Sequence, residues 1–150
     1  MNTELSHSAL KHFIDIGVKL TTESDTPKLL EQILLSAKEL SNADGGTIYS
    51  ITEQKELKFE TLINDSLNMY MGGTSGKSIS FPKIPMFVDG EPNHSALVAY
   101  AAATDQVVNI SDAYDAGNFD TNAARKMDQQ TGYRTKSVLT IPMKNHENEM

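Results

Sequence analysis

Two long stretches of helical periodicity fill the first forty or so residues of this chain, and strand-like alternation follows at once. That order restricts the folds open to it. Leu5, Ala9, Phe13, Ile16 and Leu20 recur at spacings of three and four, which predicts a helix over Glu4 to Thr22. Leu10, Ile14 and Val18 form a second apolar stripe beside the first. Two stripes suit either a helix buried on two sides of its own domain or one that gives a stripe to each of two partners. Ser24-Asp25-Thr26-Pro27 is a helix-start signal, because a capping oxygen precedes a proline whose missing N–H has no helical partner to lose. The second helix turns Leu30, Ile33, Ala37 and Leu40 to one side and stops at Ser41-Asn42, before Asp44-Gly45-Gly46.

Thr47 to Ile51 and Leu57 to Ile63 are rich in β-branched and aromatic residues, and the polar Glu53-Gln54-Lys55-Glu56 between them reads as a hairpin connection. Leu57, Phe59, Thr61 and Ile63 alternate with Lys58 and Glu60, so one face of that strand is dry, at least in its first half. From Asn64 to Asn93 the chain reads as a long loop punctuated by glycine and proline, with one short strand at Ser78 to Phe81. A helix over Ser95 to Thr104, a strand over Val107 to Ile110, a polar helix over Asn122 to Gln130 and a strand over Ser137 to Met143 follow. The order predicts an α+β fold, an antiparallel sheet flanked by helices.

A length of 150 residues fits one domain. Thirteen Lys and Arg against twenty Asp and Glu leave a net charge of -7, the wrong sign for a surface that neutralises phosphates along a duplex. There is no cysteine, which removes disulfides, thiolate nucleophiles and cysteine-held metals. No window reaches the run of roughly 18 apolar residues that a membrane span needs, and the first residues lack a signal-peptide pattern. A cytoplasmic location with no membrane contact is the expectation.

Gly72-Gly73-Thr74-Ser75-Gly76-Lys77-Ser78 looks like a phosphate-binding loop, but Met71 stands where that pattern needs its first glycine. It also leads into Ile79-Ser80-Phe81-Pro82 instead of a helix, so it reads as a glycine-rich loop. His7, His12, His94 and His146 make no metal-ligand pattern. The carboxylate pairs Asp112 with Asp115 and Asp120 with Asp128 read as solvated surface, and no nucleophilic triad has local support. Neither a catalytic residue nor a metal or cofactor site is indicated.

The most specific stretch begins at Val107-Val108-Asn109-Ile110-Ser111-Asp112-Ala113-Tyr114 and continues through Phe119-Asp120, Asp128 and Thr131-Gly132-Tyr133-Arg134-Thr135-Lys136-Ser137-Val138-Leu139-Thr140-Ile141-Pro142-Met143-Lys144-Asn145. It resembles the second half of a GAF domain. Ala43 to Thr47, Asn64 to Asn68 and Glu91 to Ser95 agree in order, so the resemblance covers roughly residues 25 to 149. The variants Asn64-Asp65-Ser66-Leu67-Asn68 and Pro92-Asn93-His94-Ser95 are similar to bacterial sensory GAF domains fused to HD-type phosphohydrolases, nucleotide cyclases or histidine kinases.

The resemblance implies a sheet of about six antiparallel strands, helices on one side, and a ligand pocket roofed by irregular segments. It further implies a regulatory, non-enzymatic domain that binds a small molecule, with a cyclic nucleotide among the candidate ligands, and relays it to an output domain. The division is a signalling or dimerisation helix over residues 1–24 and the GAF domain over 25–150, with a homodimer formed through helices. The alternative is a ligand-free GAF module that serves dimerisation or protein interaction. Carried over residue by residue, Thr47 offers a hydroxyl to a base edge. Leu97 and Val98 bring backbone near a phosphate, and Asp128, Thr131 and Thr135 line the sugar and phosphate side. Asn109, Asp112 and Tyr133 complete the set, while Tyr114, Phe119 and Tyr133 suit a role as core aromatics anchoring the lid.

Three departures bear on that set. Ala96-Leu97-Val98-Ala99 replaces the family's glycine-flanked phosphate turn, which narrows backbone approach. The base-stacking aromatic position falls near Leu62 or Ile63, and a lid aromatic falls at Ala124. Residues 144–149 read as a hairpin turn after which the family continues with a strand and a long helix; the expectation is a domain lacking both, and therefore marginally stable or self-associating. Without cysteine, the sulfoxide-reducing, bilin-attaching and thiolate-sensing variants of the family are excluded.

Overall fold

The computed structural model describes residues 3–144 and 147–150, without the side chains of residues 3–7 and of Phe13. The contacts expected of Leu5 and Phe13, the setting of His7, and the part of the last turn at Asn145 and His146 lie outside the described residues. The chain divides into two compact units, residues 1–48 with 59–80 and residues 49–58 with 81–150.

The first unit begins with α1 (Thr3–Thr22) and α2 (Thr26–Ser41). The expected cap is present: Asp25 has extended backbone and its carboxylate accepts the Lys28 N–H at 3.0 Å, with Pro27 in the first turn. Asn42 closes α2 in the left-handed conformation at φ 52°, its N–H donating to the Glu39 carbonyl. Leu34 packs with Ile48 and Ile63, and Leu30 and Ile33 lie against that cluster. Ala37 and Leu40, expected on the same face, are exposed, because the buried part of α2 ends in the turn that carries Leu34. On α1, Ile16 and Leu20 are half-buried, whereas Leu10, Ile14 and Val18 are 57–58% exposed, so the helix is not buried on two sides within its own chain.

Strands β1 (Gly45–Ile51) and β2 (Glu56–Asn64) continue through both units. In β2 the expected alternation holds in part: Leu57, Thr61 and Ile63 are buried and Lys58 is exposed, while Phe59 and Glu60 are both half-buried. Strand β3 (Met69–Gly72) pairs antiparallel with β2, Thr61 opposite Gly72 and Asn64 opposite Met69. The turn between them is tied by Asn64, whose side-chain oxygen accepts the Leu67 N–H at 2.9 Å, and by Asp44, which accepts from the Ser66 N–H at 3.2 Å and hydroxyl at 2.9 Å.

In the second unit β4 (Ile84–Pro85) pairs antiparallel with the start of β2, and β5 (Phe87–Val88) pairs with β6 (Glu91–Pro92). Then come α3 (Leu97–Thr104), β7 (Val108–Ile110), α4 (Asn122–Thr131) and β8 (Val138–Thr140), with β7 and β8 antiparallel. Leu57, Met86 and Ala99 form its core, with Tyr49, Ile51, Ile84 and Val98 packed around them. Buried Asn93 joins its parts: its amide donates to the Pro85 carbonyl at 2.8 Å, its side-chain oxygen accepts the Ser95 N–H at 2.9 Å, and its N–H donates to the Met86 carbonyl at 2.9 Å.

The α+β class with antiparallel pairing is as expected, but three details differ. The strand expected at Ser78 to Phe81 is absent, and pairing occurs instead at β3, β4, β5 and β6, elements of two to four residues that are too short to show an alternation period. The expected strand over Ser137 to Met143 pairs only across Val138–Thr140, where β7 offers three partners. In place of one sheet of about six strands, the described residues form one sheet of four strands and two of two strands.

Candidate functional site

The strongest polar constellation of the second unit is built where β7 gives way to an irregular segment and α4 returns toward β8. Asp112 accepts the Tyr114 N–H through Oδ1 at 2.9 Å, and the same carboxylate takes the Arg134 guanidinium at 2.8 and 3.0 Å. Tyr114 is thereby fixed at its backbone. Its ring lies under two guanidiniums, with Arg134 at 3.6 Å and Arg125 at 4.4 Å from the centroid. Arg125 Nη2 also donates to the Tyr114 carbonyl at 2.9 Å.

Asp128 anchors the other side. It projects from α4 and is only 5% exposed, so its charge must be met by donors from within the protein. Three meet it: the Tyr114 hydroxyl at 2.6 Å, the Thr135 N–H at 2.7 Å and the Thr135 hydroxyl at 2.8 Å. The expectation that Asp128 is a solvated surface carboxylate is therefore corrected, since a cluster of three donors compensates its burial. Asp115 and Asp120 are exposed, in keeping with the surface reading.

Of the residues carried over by resemblance, Asp112, Asp128, Thr131 and Thr135 fall in or beside this network. Thr131 closes α4 and donates its hydroxyl to the Met127 carbonyl at 3.0 Å, and half-buried Tyr133, just past Gly132, donates its N–H to that hydroxyl at 3.4 Å. Asn109 is exposed on β7 opposite Leu139. Leu97 and Val98 open α3, whose N-cap residue Ala96 supplies no side-chain cap, and Val98 packs against the core. Thr47 lies half-buried on β1 in the first unit, while the other eight belong to the second. Phe119 stacks edge-on against Tyr100 at 5.0 Å, and His94 lies 4.8 Å from Tyr100 and 5.9 Å from Phe119. Phe119 thus sits in an aromatic cluster with Tyr100 of α3 and His94.

Arg125 and Arg134 were not singled out as site residues by sequence. The available signal was local: Arg125 lies one helical turn after Thr121, and its Nε donates to that hydroxyl at 3.2 Å.

The electrostatics of the network set a pH dependence. The Tyr114 N–H, and after it the Arg134 guanidinium, holds the Asp112 carboxyl below the usual aspartate range. The bond to the Asp128 carboxylate pushes the Tyr114 hydroxyl above the usual phenol range. A lowered carboxyl pKa contributes stability that is complete above the unfolded value and lost as pH falls through the folded one. A raised phenol pKa contributes stability that is complete below the unfolded value and lost as pH rises through the folded one. Urea midpoints plotted against pH should fall at both ends, with Asp112→Asn flattening the acid arm and Tyr114→Phe the alkaline arm.

Residues 25–150 match the model of the family described as GAF domain. The chain belongs to the GAF domain family. The GAF chain is 24% identical over 144 residues to the dual 3',5'-cyclic-AMP and -GMP phosphodiesterase 11A of Takifugu rubripes. That match covers 96% of this chain and 15% of the relative, so the chain spans a small part of that protein's length. Among solved structures, the GAF domain of Acinetobacter phosphoenolpyruvate-protein phosphotransferase aligns with a TM-score of 0.62 and 13% identity, over 94% of this chain and 71% of that one. Residues 122 to 287 of a methyl-accepting chemotaxis protein align with a TM-score of 0.56 and 15% identity, over 88% and 73%. At those identities the likeness carries the GAF fold alone. No helix among the described residues is long and apolar enough to cross a membrane.

Proposed function

We propose that this GAF domain is a non-catalytic sensor: it binds a small molecule at the segment running from α3 to Thr135 and relays the event to an output domain. The observation that carries the reading is the Asp112–Tyr114–Asp128–Thr135 network, which concentrates charged and hydroxyl groups on an irregular segment supported by α4 and β7–β8. Irregular segments on a rigid support are where binding residues concentrate. A cyclic mononucleotide is the ligand class favoured by the relative, a phosphodiesterase of cyclic AMP and cyclic GMP. In this reading Leu97 and Val98 approach the phosphate, Asp128, Thr131 and Thr135 serve the sugar and phosphate side, and Asn109, Asp112 and Tyr133 complete the set within the second unit. Because Asp128 and Thr135 bond to each other, a ligand competes with that contact, and its differential affinity for the two arrangements is the signal. The domain works in the bacterial cytoplasm, with residues 1–24 as its dimerising and transmitting helix.

The test is a thermal-shift panel of cyclic mononucleotides, other nucleotides, amino acids and small organic acids. A ligand selective for the folded state at about one hundred times its Kd adds roughly 2.7 kcal/mol, several degrees for a chain of this size. A panel in which every member leaves the midpoint unmoved contradicts the proposal. A second reading, a GAF module that only dimerises, is favoured by the 57–58% exposure of Leu10, Ile14 and Val18 along one stripe of α1. It requires a dimer together with that silent panel.

A further inference from the structure

The glycine-rich loop after β3 has no part in the proposed ligand site, yet α2 holds it by a buried carboxylate. Glu31 is 7% exposed and directs both oxygens at the loop. Oε1 accepts from the Tyr70 hydroxyl and from the Thr74 N–H at 3.1 Å, and Oε2 accepts the Thr74 hydroxyl at 2.8 Å. The two hydroxyls lie 3.0 Å apart, so the cluster is closed on itself. The loop's other early backbone donors are spent nearby: Gly72 N–H on the Lys77 carbonyl at 2.7 Å, Gly73 N–H on the Glu60 carbonyl at 3.1 Å, and Ser75 N–H on the Gly72 carbonyl at 3.0 Å. Donors already used in this way do not form a phosphate cradle, which is the physical reason the sequence likeness to a phosphate-binding loop leads nowhere.

Packing tightens the same joint. Gly73 has φ +53°, and a Cβ there would stand 2.6 Å from Glu31 Oε1 and 2.9 Å from the Thr61 hydroxyl. The loop backbone therefore lies directly against the carboxylate. One helical turn further along α2, Leu34 is fixed in the core with Ile48 and Ile63, so the face that holds the loop is also the face that holds the sheet. A carboxylate is suited to this place because it only accepts: an amide would turn an NH2 toward the hydroxyl or N–H of Thr74 or the hydroxyl of Tyr70.

We infer that Glu31 is a positioning residue that couples α2 to the glycine-rich loop, so that a change in the loop's backbone is felt in the helix and a movement of the helix is felt in the loop. Both ends of the joint lie in the first unit. Coupling of this kind is carried by an element with two arrangements whose balance both ends bias. It depends on no ligand identity and does not fall with the proposal for the α3 to Thr135 segment.

The experiment separates coupling from simple support. Gly73→Ala and Gly76→Ala impose the same left-handed strain, at φ +53° and +75°, but a Cβ at Gly76 meets nothing within 4 Å. Backbone amide shifts and hydrogen exchange are read for both variants, in the parent and in Glu31→Ala. Gly73→Ala should speed exchange of the Thr74 amide roughly 10- to 100-fold, as expected when a hydrogen bond to a charged acceptor is lost. It should also displace amides of residues 28–35 in α2. Gly76→Ala should leave those α2 amides in place, and in Glu31→Ala the Gly73 substitution should add no further α2 displacement. Thr74→Ala, at an exposed position, serves should Glu31→Ala fail to fold; removing that hydroxyl should shift α2 amides around residue 31. Unmoved α2 amides in Gly73→Ala, an equal α2 response with Glu31 removed, or a Thr74→Ala spectrum changed only within the loop overturns the inference.

Discussion

Asp128→Ala should lower the stability of the folded domain by about 3–5 kcal/mol, measured by urea unfolding and far-UV circular dichroism. The cost has two parts. Three hydrogen bonds to a buried charged acceptor are lost, from the Tyr114 hydroxyl, the Thr135 N–H and the Thr135 hydroxyl. The donors left behind in a site that is 5% exposed must find water or stay unpaired. Against a total stability of order 5–15 kcal/mol, such a loss is a large fraction. Asp128→Asn keeps one acceptor oxygen and should fall between the two. Tyr114→Phe removes one donor while the ring stays beneath Arg134 and Arg125, so it should be milder than Asp128→Ala. An unfolding midpoint for Asp128→Ala equal to that of the parent would mean that the network is not formed in solution.

The second large effect belongs to the core on β2. Leu57 is 2% exposed and packs with Met86 and Ala99, so Leu57→Ala should cost about 2–5 kcal/mol through lost transfer energy and the cavity left behind. Leu57→Met conserves most of the volume and should cost less than about 1.5 kcal/mol. Leu139, on β8 and 55% exposed, is the control, and its replacement by alanine should stay within about 0.5 kcal/mol. Equal losses at Leu57 and Leu139 would contradict the burial pattern.

Those two residues also mark what the amino-acid order reveals. Leu57 belongs to an alternating strand whose dry face is written into the sequence as Leu57, Phe59, Thr61 and Ile63, all buried but half-buried Phe59, and helices α1, α2 and α4 and strands β1, β2 and β7 are legible for the same kind of reason. Local chemistry supplied the ends as well: Asp25 with Pro27 starts α2, and Asn42 stops it. The stretch from Met69 to Pro92 was not legible, because pairs such as Phe87–Val88 with Glu91–Pro92 are held by partners and not by their own pattern. The burial of Asp128 and Glu31 escaped for a related reason. A carboxylate is buried only where tertiary structure gathers donors: Thr135 lies beyond the end of α4, and Tyr70 and Thr74 stand 39 and 43 residues from Glu31. Glu31 left a faint trace, three positions before Leu34 on the face that packs.

Of the candidate ligand residues found by resemblance, Asp112, Asp128 and Thr135 bond into the network around Tyr114, and that is the support for the proposed sensor reading. The most direct measurement is a titration of the isotope-labelled domain with cyclic GMP, and in parallel cyclic AMP, followed by backbone amide shifts. The account predicts saturable displacements concentrated at Leu97, Val98, Asn109 and Asp112 and along residues 128–135, with the Thr135 amide among the largest as its bond to Asp128 is exchanged for the ligand. Amides unmoved at saturating concentrations of both nucleotides, or displacements confined to α1 and α2, would contradict it.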